Sequence, residues 1–152
     1  MIQNTTKNDK GDNIMSNDNC IFCKLANGII PTNSIYEDED FNVILDVSPA
    51  TKGHALVLPK KHYANIYEID EMVLAKAICV AQKVIKHVTP LLKCDGYNIL
   101  QNNGEAAGQT IFHFHLHLIP RYAEGNDETL LAAKPGEIEA DELVRLKNLM
   151  QL

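Results

Sequence analysis

The run His113-Phe114-His115-Leu116-His117 limits the fold more than any other part of the chain. It places three of the six histidines within five residues, in strict alternation with apolar partners. A β-strand sends successive side chains to opposite faces and repeats each face every ~6.6–6.8 Å. An extended segment therefore carries the three imidazoles on one face and Phe112, Phe114, Leu116 and Leu118 on the other. The apolar face requires a hydrophobic layer, and the imidazole face reads as the floor of a pocket.

The layer is supplied by the longest helical pattern. Leu74, Ala77, Ile78, Ala81, Val84, Ile85 and Val88 recur at helical spacing from about Asp70 to Thr89, with Lys76, Lys83 and Lys86 off the stripe. Pro90 lacks the backbone donor that continuation needs, so it ends or kinks this helix. A shorter helical pattern covers 20–30 and is closed by Gly28 and Pro31. Strand patterns occupy 34–37, 41–47, 54–58, 97–101 and 110–120. A last helix spans about 139–152, with Leu143, Leu146 and Met150 on one side. Short turns between strands, with one long helix between the third and fourth, predict an α+β domain built on a five-stranded antiparallel sheet with short terminal helices.

The chain of 152 residues holds one such domain. Residues 1–19 are rich in Asn, Asp and Lys and read as a flexible arm, with Met15 a second candidate start. The domain occupies 20–122, and 123–152 forms an extension carrying the short helix. Fourteen basic against twenty acidic residues give a net charge of −6, and no dense basic run exists, so nucleic acid is not an expected partner. No apolar stretch reaches the ~18–20 residues of a membrane span, and the arm has no secretory core. The expected compartment is the cytoplasm, where Cys20, Cys23, Cys79 and Cys94 stay reduced. Cys20-Ile21-Phe22-Cys23 has zinc-type spacing, with a redox dithiol and two unrelated thiols as its competitors. Cys79 and Cys94 read as packing thiols.

Imidazoles one strand repeat apart straddle a phosphoryl group or share a metal ion, and spacing alone ranks these two about level above a solvated face. The loop before the triad offers the backbone N–H groups of Gly108 and Gln109 and the hydroxyl of Thr110 to a phosphate. Periodicity by itself reads Phe22, Leu25, Ile44 and Leu56 as core, and Asp46 as a turn cap before Ser48 and Pro49.

His-Phe-His-Leu-His-Leu-Ile resembles the His-x-His-x-His-x-x motif of the histidine triad (HIT) superfamily. The similarity extends through Cys-Ile-Phe-Cys-Lys at 20–24, Ile30-Pro31, Tyr36-Glu37-Asp38, Leu45-Asp46-Val47-Ser48, Gly53-His54 to Pro59-Lys60-Lys61-His62, and 102–108. The chain resembles a bacterial Hint-like HIT protein over 20–121. The resemblance implies a homodimer and a hydrolase or transferase acting at the α-phosphate of purine nucleotide conjugates such as nucleoside phosphoramidates. It makes His115 the nucleophile, places His117, His54 and Thr110 at the phosphate, and assigns Asn102, Gly108 and Gln109 to phosphate and leaving-group contacts. Asp46 takes the ribose hydroxyls, while Phe22, Leu25, Ile44, Val47 and Leu56 wall the base pocket. It also implies a structural zinc on Cys20, Cys23, His62 and His113, and no organic cofactor.

After the triad the likeness shifts. The chain has no tryptophan, and Pro120-Arg121 is closer to the Fhit-like branch that cleaves dinucleoside polyphosphates. A triad that binds a catalytic metal and a nucleotide-binding module with little turnover are the remaining alternatives.

Overall fold

Alternation along the strands splits the apolar residues between two layers. The computed structural model describes residues 19–124 and 137–151, so the expected arm over 1–18 lies outside the described residues, as do 125–136 and 152. The elements are α1 (Ile21–Ala26), β1 (Ser34–Glu37), β2 (Phe41–Leu45), β3 (Ala55–Pro59), α2 (Glu71–Leu92), β4 (Gly96–Leu100), a 3-10 turn at Glu105–Ala107, β5 (Leu116–Arg121) and α3 (Ala140–Met150). The five strands form one sheet in the order β1-β2-β3-β5-β4, and every pairing is antiparallel.

Phe41 and Val43 of β2, Ala55 and Val57 of β3, and Leu116 and Leu118 of β5 project to one side. There they pack with Phe114 against Ala77, Val80, Ala81 and Val84 of α2. Ile44, Leu56 and Leu58 project to the other side and meet Phe22 and Ala26 of α1. β3 is thus buried on both faces, which explains its unbroken apolar run. Each large aliphatic side chain so buried contributes about 1.5–3 kcal/mol relative to exposure.

Three expectations need correction. Pro90 does not end the long helix, which continues to Leu92. Proline in the last turn removes one backbone bond, and the helix stops where Lys93 adopts the left-handed conformation (φ 54°) and donates its N–H to the Thr89 carbonyl. β2 stops at Leu45 instead of Val47, because the Asp46 carboxylate accepts the Ser48 N–H (2.8 Å) and turns the chain.

The third correction concerns the triad strand. The spacing predicts extension over 110–120, whereas β5 begins at Leu116 and residues 111–113 are bent. The His113 N–H donates to the Ile111 carbonyl (2.9 Å), and the Phe114 N–H donates to Tyr63 (2.6 Å), outside the ladder. Phe112 consequently leaves the apolar face and is 43% exposed, while Phe114 is fully buried. α3 forms close to its predicted span, but none of its residues is buried, and Leu143 and Met150 are exposed. No helix among the described residues is long and apolar enough to cross a membrane.

Candidate active site and metal centre

Cross-strand register places the histidines on the α1 side of the sheet. His117 lies opposite Leu56 of β3 and Leu100 of β4, so it shares the face of Leu56 and Ile44. His54, one residue before β3, reaches the same place. It follows Gly53, whose φ of 88° is in the glycine-favoured region and where a Cβ would run into the Leu92 side chain. The rings of His115 and His117 stand 4.8 Å apart between centroids, closer than the strand repeat, and meet edge to face.

Backbone partners set the neutral tautomers of these rings. His54 Nδ1 accepts the Ala50 N–H (3.0 Å), so its proton sits on Nε2 and is donated to His117 Nδ1 (2.9 Å). His117 then carries its own proton on Nε2. His115 donates from Nδ1 to the His113 carbonyl (2.7 Å), which leaves its Nε2 as an unprotonated lone pair. Burial lowers the pKa of His115, opposed by that carbonyl bond. Burial, then the neighbouring His115 and His54, lower His117 to about 4. His54 is lowered too, by burial that outweighs the Asp46 carboxylate 3.8 Å away. All three rings are therefore neutral at pH 7, and the Asp46–His54 approach is not an ion pair there.

The loop before the triad departs from expectation. The Gly108 N–H donates to Glu105 (2.9 Å) and the Gln109 N–H to Gly104 (3.0 Å), so both are committed inside the turn and neither is offered to a phosphate. The Gln109 side chain is also committed. It accepts the Gly104 N–H (2.9 Å) and donates to the Ala64 (2.7 Å) and Ile111 (3.1 Å) carbonyls while only 2% exposed. Gln109 thus holds the loop against the segment after β3. Asn102 lies against Gly108, whose positive φ of 83° closes the turn, and Thr110 is exposed.

Phe22, Ile44 and Leu56 form one buried cluster with Leu25 packed on it, beside the His115 ring that Phe22 meets edge-on at 5.0 Å. Val47 is 89% exposed and lies apart from this cluster. Asp46 serves the turn through Oδ1 and approaches His54 with Oδ2.

The first triad histidine belongs elsewhere. His113 is fully buried and donates from Nε2 to the Pro59 carbonyl (2.9 Å), which turns Nδ1 toward Cys20 Sγ (3.5 Å) and Cys23 Sγ (3.4 Å). His62 Nδ1 lies 3.3 Å from Cys23 Sγ. The four ligand atoms lie within 4.8 Å of one another. Tetrahedral zinc with Zn–S of ~2.3 Å and Zn–N of ~2.0 Å separates sulfur from nitrogen by about 3.5 Å, so this donor set fits that ion. The Pro59 carbonyl on the far side of the ring is the kind of outer partner that orients a ligating histidine. Asp46, His54 and His117 form a second close group, but the direct hydrogen bond between the two rings occupies the atoms a metal would need. The triad does not converge on a single ion.

Sequence reasoning missed the main-chain groups of Ala50, Pro59 and Tyr63, which leave no side-chain signal. It also missed a cleft of about 440 Å³ lined by Cys20, Ile21, His62, Thr110, Ile111 and Phe112 among others, next to the cysteine–histidine group.

A family model described as HIT domain matches residues 27–124. An uncharacterized HIT-like protein of Methanocaldococcus jannaschii is 44% identical over 126 residues, covering 83% of this chain and 96% of the relative. An adenosine 5'-monophosphoramidase of Schizosaccharomyces pombe is 38% identical over 125 residues, covering 80% and 91%. A crystal structure from Streptococcus mutans, SMU.412c, matches with a TM-score of 0.82 at 41% identity, covering 88% of this chain and 84% of that one. A Zn-bound histidine triad family protein from Mycobacterium smegmatis matches with a TM-score of 0.68 at 38% identity, covering 84% and 89%.

Proposed function

The chain belongs to the HIT family, and from that premise we propose that it cleaves purine nucleotide conjugates, nucleoside phosphoramidates first among them, at the α-phosphate through a nucleotidyl-His115 intermediate. The observation that carries this reading is the His115 ring: buried, neutral, with Nδ1 held by the His113 carbonyl and Nε2 free to attack phosphorus. A neutral imidazole forms the P–N bond as the leaving group departs, and water then displaces the imidazole to release the nucleoside monophosphate. His117 presents Nε2–H to a phosphoryl oxygen whose charge grows in each step, and His54 holds His117 in that tautomer.

In this reading Thr110 and Asn102 meet the phosphate and leaving group, and Gly108 and Gln109 shape the loop that presents them. Asp46 takes the ribose, and Phe22, Leu25, Ile44 and Leu56 face the base with Val47 at the rim. Similarity to a monophosphoramidase supports the substrate class. Zinc on Cys20, Cys23, His62 and His113 would supply a closed structural tie with no open coordination position. The same reading pairs two chains as a homodimer in the cytoplasm.

Replacing His115 with Ala tests the chemistry. Turnover of an adenosine phosphoramidate should fall by about 10⁴-fold or more, as expected when a nucleophile is removed, and rapid quenching of the unaltered protein should trap a nucleotidyl adduct. Retained turnover in the folded variant rejects His115 as nucleophile.

A further inference from the structure

We infer that the Cys20/Cys23/His62/His113 centre positions the nucleophile, acting through the His113 carbonyl and the Phe22 ring, rather than serving only as a fold staple. The inference rests on the reading of His115 as nucleophile and names the residues that hold it in place.

His115 lies outside the sheet. The β3–β5 ladder runs from Leu116↔Val57 to Leu118↔Ala55, so no strand pair fixes the backbone of the nucleophile. Residues 111–113 are bent and carry no ladder bonds either. Two contacts orient the His115 ring from this unladdered side. One is the bond from Nδ1 to the His113 carbonyl at 2.7 Å. The other is the edge of Phe22, perpendicular to the ring at 90° and 5.0 Å between centroids.

Both contacts originate within the cysteine–histidine centre. His113 supplies the carbonyl from its main chain and Nδ1 to the two sulfurs from its ring. Phe22 sits between Cys20 and Cys23 on α1 and also packs edge-on against His113 at 6.1 Å. α1 has only six residues, too few for a helix to persist without tertiary ties. A tie between its two sulfurs, His62 beyond β3 and His113 would therefore fix the pose of Phe22 and of the His113 peptide together. When that tie is lost, α1 and Phe22 are left with their apolar packing, and the His113 peptide with the Phe114 N–H bond to Tyr63 and the ring bond to Pro59. The bond that keeps the His115 proton on Nδ1 then loosens, and the wall that sets the ring plane loses its anchor.

The test compares zinc-loaded protein with protein stripped of zinc by a thiol-reactive mercurial and then reduced, with circular dichroism reporting the fold. ¹⁵N spectra of histidine-labelled protein without substrate read the ring directly. The loaded protein should show His115 as a single Nδ1–H tautomer, and the stripped protein should show the two tautomers averaged. The same change should lower kcat about tenfold or more, since small misplacements of a reacting group are costly. Phe22→Leu, with both cysteines intact, gives the second arm. It should keep one zinc per chain and the Nδ1–H tautomer yet shift the His115 ring resonances, because the wall that sets the ring plane is lost. If stripping unfolds the chain, this variant decides the matter.

Folded stripped protein with an unchanged His115 spectrum and kcat overturns the inference, as does Phe22→Leu with an unaltered spectrum. Because the spectra need no turnover, a failure of the nucleophile assignment shows separately, as activity that survives His115→Ala.

Discussion

At the residue scale, each histidine is defined by what holds its second nitrogen. Ala50 orients His54, His54 orients His117, the His113 carbonyl orients His115, and Pro59 orients His113. The N–H groups donated to His54 and His117 favour neutral rings, the carbonyls that accept from His115 and His113 oppose this, and burial outweighs the carbonyls. The consequence is a pH dependence of stability. The pKa of His117 falls from 6.5 to about 4 on folding, and that of His54 also falls. Between those values the unfolded chain binds more protons than the folded one, so stability is full above pH 6.5 and declines as pH drops toward 4. Urea unfolding at several pH values should show this decline. His117→Gln, which removes one of the rings whose pKa falls on folding, should weaken it, and parallel profiles for the two proteins would refute the assignment. The alternation of His with Phe and Leu was legible in the residues alone. The hydrogen-bond partners were not, since three of them are main-chain groups that leave no side-chain signal and the fourth pairs His54 with His117 across 63 residues.

At the scale of elements, periodicity located the long helix and the strands, because burial on one face imposes its spacing directly on side-chain polarity. It overextended β5. Phe112, Phe114, Leu116 and Leu118 alternate perfectly, yet the bend at 111–113 takes Phe112 out of the core. Nothing in a pattern of polarity reports that Phe114 donates its N–H to Tyr63 instead of to a neighbouring strand. Two substitutions separate the pattern from the structure. Phe114→Ala empties a fully buried site in the α2 core and should cost about 3–5 kcal/mol. Phe112→Ala, at a half-exposed position, should cost below about 1 kcal/mol. Chemical denaturation measures both, and equal losses would restore the continuous strand. Pro90 teaches the same lesson in reverse. A helix breaker is tolerated within a turn of the end, where few backbone bonds remain to be lost.

Across the whole molecule the sheet separates two tasks. Its α2 face carries the main apolar core, and its α1 face carries the histidines, the Phe22 cluster and the cysteine–histidine centre. Protein purified without added metal should contain about one zinc per chain, and Cys23→Ser should abolish it and lower the melting temperature. Elemental analysis with a folded, substoichiometric preparation would remove the metal from the proposal. Sedimentation of the same preparation tests the homodimer, which a monomer at micromolar concentration would exclude.

The residues alone determined that the chain would make an antiparallel α+β domain with one long helix and an imidazole-lined sheet face, since polarity periods are local properties of the sequence. The HIT likeness added the grouping of Cys20, Cys23, His62 and His113. That likeness implied that the triad divides, and the tertiary structure decided how, with His113 turned to the two sulfurs and His115 and His117 turned to the other centre. That division depends on a bend and on carbonyls from Pro59 and His113, and main-chain hydrogen bonding across distant segments is determined by the packed fold and not by side-chain spacing.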